Sequence, residues 1–125
     1  MMLVVTVDHE TLEVRSARFD DICEAVSILV SIIPIGKVSS YSDIGRLLGA
    51  HPRLVAQCLM RNKNPILIPC HRVVHKNGRL GGYSFGGAKI KAKILSIEGV
   101  LGDSDKPGVP KNTFFRLDEM LSPAR

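Results

Sequence analysis

The chain has 125 residues and a mass of 13.7 kDa, with 45% hydrophobic and 23% charged residues. That length suits one domain burying roughly two-thirds of its unfolded surface, which excludes a Rossmann half joined to a substrate half, and the apolar share argues against disorder. Charges interrupt every apolar run before the roughly 18 residues a bilayer span needs, and the acidic residues of the opening MMLVVTVDHE stand where a signal peptide would carry positive charge, so no secretion is expected.

The formal net charge of +5 is unevenly spread. Residues 1–35 net −4, residues 100–125 balance, and residues 36–99 hold eleven basic side chains against only Asp43 and Glu98, a net of +9. Such a block fits a polyanionic partner, nucleic acid first, or else a solvated basic face. The cysteines Cys23, Cys58 and Cys70 are odd in number and form no CxxC pair, which argues against a disulfide framework and a zinc finger and leads to the expectation of a reducing, cytoplasmic setting (nuclear in a eukaryote).

In chain order, residues 3–7 and 12–18 read as short β segments, a hairpin around Asp8-His9-Glu10 within an N-terminal segment 1–19. From Asp20 the period becomes helical: Ile22, Val26, Leu29, Val30 and Ile33 recur at three- and four-residue spacing until Pro34 and Gly36. Ser40-Tyr41-Ser42-Asp43 has capping-box spacing before a second helix with Tyr41, Ile44, Leu47 and Leu48 on one face and Gly49 as its stop. Pro52 opens a third helix with an apolar stripe of Leu54, Val55, Cys58 and Leu59. Helix, short glycine-containing turn, helix is the pattern of a helix-turn-helix, and Arg53, Arg61 and Lys63 supply positive charge on and just after its second helix. Cys58 and Cys23 read as core residues.

Residues 66–74 (ILIPCHRVV) are rich in β-branched residues but broken by Pro69, so their middle is no regular central strand. Asn77-Gly78 predicts a two-residue hairpin between Val73-Val74 and Arg79-Leu80. A glycine-rich loop over residues 81–87 follows. A last helix covers about Ala88 to Ile97, with Ile90, Ile94, Leu95 and Ile97 as its apolar positions and Lys89, Lys91 and Lys93 directed largely outward. Residues 101–125 read as an irregular tail with a short apolar patch at Phe114-Phe115. The fold class that results is mainly α with small β elements, a winged helix-turn-helix-like DNA-binding domain.

The chemistry concentrates at Pro69-Cys70-His71-Arg72, where a thiol neighbours an imidazole and a guanidinium, groups that favour the nucleophilic thiolate. Adjacent side chains on extended backbone point to opposite faces, so His71 can assist Cys70 only if the chain turns there. Ile68-Pro69-Cys70-His71-Arg72-Val73-Val74, with Asn62 before it and Gly81-Gly82-Tyr83-Ser84 and Glu98-Gly99 after it, closely resembles the active-site signature of the methylated-DNA–protein-cysteine methyltransferases, the 6-O-alkylguanine-DNA alkyltransferases. The resemblance covers about residues 20–100.

This resemblance implies that Cys70 accepts and keeps an alkyl group from guanine, that His71 acts through a water to deprotonate it, and that Glu98 orients His71. It implies that Asn62 is the hinge between recognition helix and active-site segment, and that Tyr41 helps rotate the nucleotide phosphate and protonates the departing guanine. Arg53 would fill the gap left by the flipped base, with Arg61, Lys63 and Arg72 completing the DNA contacts. Tyr83 and Ser84 would close over the base, and Val73 would line the pocket. The partner implied is double-stranded DNA carrying 6-O-alkylguanine, met by a monomer with no membrane, metal or cofactor. The chain departs from the family pattern in the extra Phe85 before Gly86-Gly87, in Lys63-Asn64-Pro65 after Asn62 rather than an immediate proline, and in having about 20 residues ahead of the first helix. Alkyltransferase-like lesion binders, which carry another residue at the cysteine position, and winged-helix regulators are the competing readings.

Overall fold

The computed structural model describes residues 5–7, 14–16, 18–101 and 108–120. Strands β1 (Val5–Val7) and β2 (Val14–Ser16) pair antiparallel with Val5 opposite Ser16. The expected turn at Asp8-His9-Glu10 lies outside the described residues.

Helix α1 (Phe19–Ile32) begins where the Asp21 carboxylate accepts the Arg18 backbone N–H at 2.8 Å. Its first-turn acids lie at the positive end of the helix dipole. Ile22, Val26, Leu29 and Val30 are its buried face, each side chain contributing on the order of 1.5–3 kcal/mol of burial free energy. Helix α2 (Tyr41–Leu48) is capped as its sequence requires, Ser40 Oγ accepting the Asp43 N–H at 2.9 Å. Gly49 then takes the left-handed conformation (φ 66°) that ends it without a Cβ penalty. Helix α3 (Pro52–Met60) starts on a proline whose missing N–H costs nothing at that position, with His51 Nδ1 accepting the Arg53 N–H at 3.0 Å. The three helices pack on one another around Ile22, Val26, Ile44, Val55 and Leu59, which sets α3 at a fixed angle to α2 as a helix-turn-helix requires.

One expectation fails at this junction. Cys23 of α1 and Cys58 of α3 are joined in a disulfide, with Cα atoms 4.9 Å apart. They are 35 residues apart in sequence, and pairing across helices is invisible to spacing arguments. The odd count therefore marks one free thiol beside one bridge, and it no longer argues for a reducing compartment.

Strand β3 (Ser39–Ser40) pairs in parallel with β4 (Val73–Val74), Ser39 opposite Val73 and Ser40 opposite Val74. The predicted hairpin is thus corrected: β4 has no ladder with Arg79-Leu80. A tight turn does close at Asn77-Gly78, the Gly78 N–H donating to His75 O at 2.9 Å and the His75 N–H to Arg79 O at 2.8 Å. Beyond it Gly81, at φ 75°, swings the chain away before a second strand can form. Of the tail, residues 108–120 are described, and they hold regular elements where an irregular segment is expected. A 3₁₀ turn (Lys111–Thr113) leads Phe114 into a bridge beside Val38, the Phe115 N–H donates to Val38 O at 2.7 Å, and α5 (Leu117–Met120) follows. A second core of Val38, Val74, Leu95, Val100 and Val109 lies under this edge.

Helix α4 (Gly87–Ile97) carries the other correction. Lys91 does not point outward but is 1% exposed, whereas Ile97 is 86% exposed. Residues four apart share a helix face, so the rotation that buries Leu95 also buries Lys91. The mainly α architecture with small β elements stands.

Candidate active site

The backbone solves the problem posed by Cys70 and His71 being adjacent. After Pro69, residues Cys70–Arg72 form a 3₁₀ turn, closed by the Arg72 N–H donating to Pro69 O at 2.9 Å. The strict alternation of an extended strand is thereby lost. Cys70 is a free thiol, 6% exposed. It stands in the wall of a cavity of about 240 Å³ shared with Tyr41, Leu59, Met60, Tyr83 and Ser84. A larger cleft of about 420 Å³ runs between α2 and the C-terminal segment, among Arg46, Lys76, Phe114 and Arg116, but holds no thiol or histidine.

Behind Cys70, His71 is fully buried, its Nε2 3.1 Å from Glu98 Oε2. Burial lowers the His71 pKa from 6.5, and the Glu98 hydrogen bond and charge only partly oppose this, so the ring is held neutral. Burial alone would raise the Glu98 pKa, yet hydrogen bonds from Arg72 and His71 bring it below 4.5. An ionised carboxylate can only accept, so His71 carries its proton on Nε2. Nδ1 is then a bare lone pair, buried and without a hydrogen-bond partner among the described residues, available as a proton acceptor.

Arg72 needs correction as a DNA contact. Its side chain is turned inward, donating from Nε and Nη2 to Glu98 at 3.0 and 2.7 Å and from Nη1 to Ile33 O at 2.9 Å. With the side chain committed to these acceptors and the residue 8% exposed, it is not presented to a phosphate at the surface. Val73 likewise does not line the cavity: its side chain is fully buried in the helical core, and it presents only its carbonyl toward the site.

Asn62 joins α3 to the thiol-bearing segment through both ends of its amide. Nδ2 donates to Ile68 O at 2.9 Å and Oδ1 accepts the Asn64 N–H at 2.9 Å. Between them Ile66 adopts φ 72°, a left-handed conformation strained for a β-branched residue. Tyr41 opens α2 beneath the cavity, and both burial and the negative charge of a Cys70 thiolate raise its pKa above 10.0. Tyr83, whose pKa is raised for the same two reasons, sets its ring edge-on to His71 with centroids 6.5 Å apart.

Arg53 and Lys63 are exposed with no ion-pair partner among the described residues. Arg61 leans back on α1, 3.4 Å from Asp20 and over the Phe19 ring. One residue escaped the sequence reading. The Lys91 ammonium donates to Val73 O at 2.7 Å, Gly82 O at 3.3 Å and Tyr41 Oη at 3.4 Å. Burial lowers its pKa to about 8, the Cys70 charge opposing. Its only signal was its four-residue spacing from Leu95. Among the described residues no group of three His, Cys, Asp or Glu could hold a metal, and no helix is long and apolar enough to cross a membrane.

Residues 21–100 match the 6-O-methylguanine DNA methyltransferase, DNA binding domain family. The methylated-DNA–protein-cysteine methyltransferase of Methanothermobacter thermautotrophicus is 46% identical over 72 residues, 58% of this chain and 40% of that protein. Its counterpart in Archaeoglobus fulgidus is 46% identical over 76 residues, 57% of this chain and 51% of that protein. The chain thus spans about half the length of the curated relatives it matches. The structure of Mycobacterium tuberculosis OGT in complex with DNA is similar with a TM-score of 0.60 at 34% identity, over 63% of this chain and 49% of that one. The structure of S. pombe Atl1 in complex with damaged DNA containing O6-carboxymethylguanine is similar with a TM-score of 0.61 at 30% identity, over 68% of this chain and 82% of that one.

Proposed function

Because the chain belongs to the 6-O-methylguanine DNA methyltransferase DNA-binding-domain family, we propose that it repairs DNA by moving the alkyl group of 6-O-alkylguanine onto Cys70, once per molecule. The observation that carries this reading is a free, nearly buried thiol in the wall of a cavity, with a neutral histidine held by an ionised carboxylate directly behind it. A base inside the duplex cannot reach such a thiol, so the nucleotide must leave the stack. Arg53 on the exposed side of α3 fills the vacated space, its planar guanidinium suited to stacking on bases. Lys63 binds phosphate, with the salt dependence that counterion release demands. Met60, Tyr83 and Ser84 enclose the extruded base.

The Cys70 proton passes to His71 Nδ1 through a bridging water, and Glu98 stabilises the imidazolium that forms. The thiolate attacks the alkyl carbon, forming the S–C bond as the C–O bond breaks. The electron pair goes to the base, which takes a proton from Tyr41. The chemistry requires only a thiol, a base and an acid, so the protein works on this reading as a monomer without metal or cofactor, in the compartment that holds the DNA.

The test is mass spectrometry of the protein mixed with duplex DNA bearing 6-O-methylguanine. One added methyl group on the Cys70 peptide, absent in Cys70→Ala, is the expected result. Likeness to S. pombe Atl1 over most of that chain's length favours a second reading, a binder that marks the lesion. Tight lesion binding with Cys70 unmodified decides for it.

A further inference from the structure

Lys91 has no part in the transfer as described, yet it is the bulkiest of the fully buried side chains. Burying an ammonium is costly unless each of its N–H groups is met. Here three acceptors meet it from three parts of the fold: Val73 O on β4, Gly82 O in the glycine-rich loop, and Tyr41 Oη at the start of α2. An ammonium has three donors and no lone pair. Toward Lys91 the tyrosine oxygen can therefore only accept, and its own O–H is left to donate elsewhere. That hydroxyl has no other hydrogen-bond partner among the described residues, and Tyr41 lines the cavity that Cys70 shares. We propose that Lys91 is a positioning residue that sets the polarity of Tyr41, turning the phenol proton into the cavity as the donor to the departing base.

The inference rests on the alkyl-transfer reading and adds a direction to it. If Lys91 loses a proton it gains a lone pair, and Tyr41 can then donate to it and turn its proton out of the cavity. Burial brings this exchange to about pH 8. The titratable groups around the pair are Cys70 and His71 on the 3₁₀ turn, Tyr83 on the loop, His75 against the Tyr41 ring, and Glu98 behind His71. Loss of any proton from His71 favours a faster reaction as pH rises, and Tyr41 itself ionises only above 10.0. A rate that falls above about pH 8 thus has Lys91 as its source.

The experiment is single-turnover methyl transfer from duplex 6-O-methylguanine, followed across pH for the wild type, Lys91→Met, Lys91→Arg, Tyr41→Phe and the Lys91→Met/Tyr41→Phe double variant. Lys91→Met and Tyr41→Phe should slow the transfer step alike, on the order of 100-fold as for a lost general acid, and the double variant should be no slower than either. Lys91→Arg, which stays charged, should abolish the fall at high pH. Multiplying losses in the double variant, or a wild-type rate in Lys91→Met, would overturn the proposal.

A second measurement needs neither alkyl transfer nor a folded Lys91 variant. The ¹³Cζ NMR signal of Tyr41, assigned by Tyr41→Phe, should step near pH 8 in the wild-type chain. Its constancy there overturns the polarity exchange even if transfer proceeds. A wild type that never methylates Cys70 but shows the step refutes the transfer reading and leaves the Lys91–Tyr41 exchange standing.

Discussion

The carboxylate of Glu98 lies 3.1 Å from His71 Nε2 while its two oxygens also accept from Arg72. One acid at the end of α4 thus fixes two consecutive residues of the turn that carries Cys70. Arg72 is the clamp that keeps Glu98 ionised, and Glu98 in turn fixes the histidine tautomer. The scarcity of acids in residues 36–99 acquires a structural reason: Asp43 sits at the α2 cap, and Glu98 sits here.

Stability should fall on acidification below the ordinary histidine range. His71 has a lowered folded pKa, so between that value and 6.5 the unfolded chain binds more protons, and stability present above 6.5 is lost as pH falls. Glu98, lowered from 4.5, contributes in the same direction at lower pH. Urea midpoints at pH 7.5 and 5.5 check this, and an unchanged midpoint would contradict a buried neutral His71. Glu98→Gln should cost about 3–5 kcal/mol at neutral pH by leaving Arg72 buried without its counter-charge, and, because the Glu98 carboxylate is what partly holds up the His71 pKa, it should steepen the further loss between pH 7.5 and 5.5.

Asn62→Ala removes both bonds that hold the strained segment around Ile66. The expected loss is about 1–3 kcal/mol, with slowed transfer to Cys70 because Ile68 and Pro69 lose their fixed position. Asn62→Asp should be at least as damaging, since it sets a carboxylate oxygen against the Ile68 carbonyl. If the aspartate variant denatures at the wild-type urea concentration and transfers at the wild-type rate, the bracing account is wrong.

Arg53→Ala should slow repair of duplex DNA by roughly tenfold or more while leaving alkyl transfer from free 6-O-benzylguanine nearly unchanged, because a free base need not be flipped. Equal losses on the two substrates would place Arg53 outside base extrusion. Arg61→Ala should do less to the duplex reaction, since that guanidinium is shared with Asp20 and Phe19.

The helices were legible because their signals are local. Ser40 and Asp43, Gly49 and Pro52 each act within one turn, and the structure uses each at its expected place. The reactive segment was legible because Pro69 and the adjacent thiol, imidazole and guanidinium lie next to one another in the chain. What escaped depended on distant packing. Arg72 reads as a free cation until Ile33 and Glu98, 39 and 26 residues away, are seen to take its donors. Lys91 reads as solvated because its neighbours Lys89 and Lys93 are exposed; only the helix rotation separates them. The β4 pairing went to Ser39-Ser40 in parallel, a partner no turn signal could announce.

The Cys23–Cys58 bridge sets the last prediction. It ties α1 to α3 across a sequence separation of 35 residues. In the chain-entropy account, closing such a loop in the unfolded state stabilises the fold by about 3–4 kcal/mol. Reduction should then lower the melting temperature by on the order of 10 °C for a domain of this size. Thiol alkylation in denaturant should label one cysteine before reduction, Cys70, and three after it. Labelling of all three without reductant would show that no bridge forms. Because neither cysteine of the bridge lines the Cys70 cavity, reduced protein should still transfer the alkyl group of free 6-O-benzylguanine at temperatures well below its melting point. A reduced protein that is as stable as the oxidised form would show that the helix core, not the bridge, fixes α3. A reduced protein that is stable but inert would instead tie the bridge to the chemistry at Cys70.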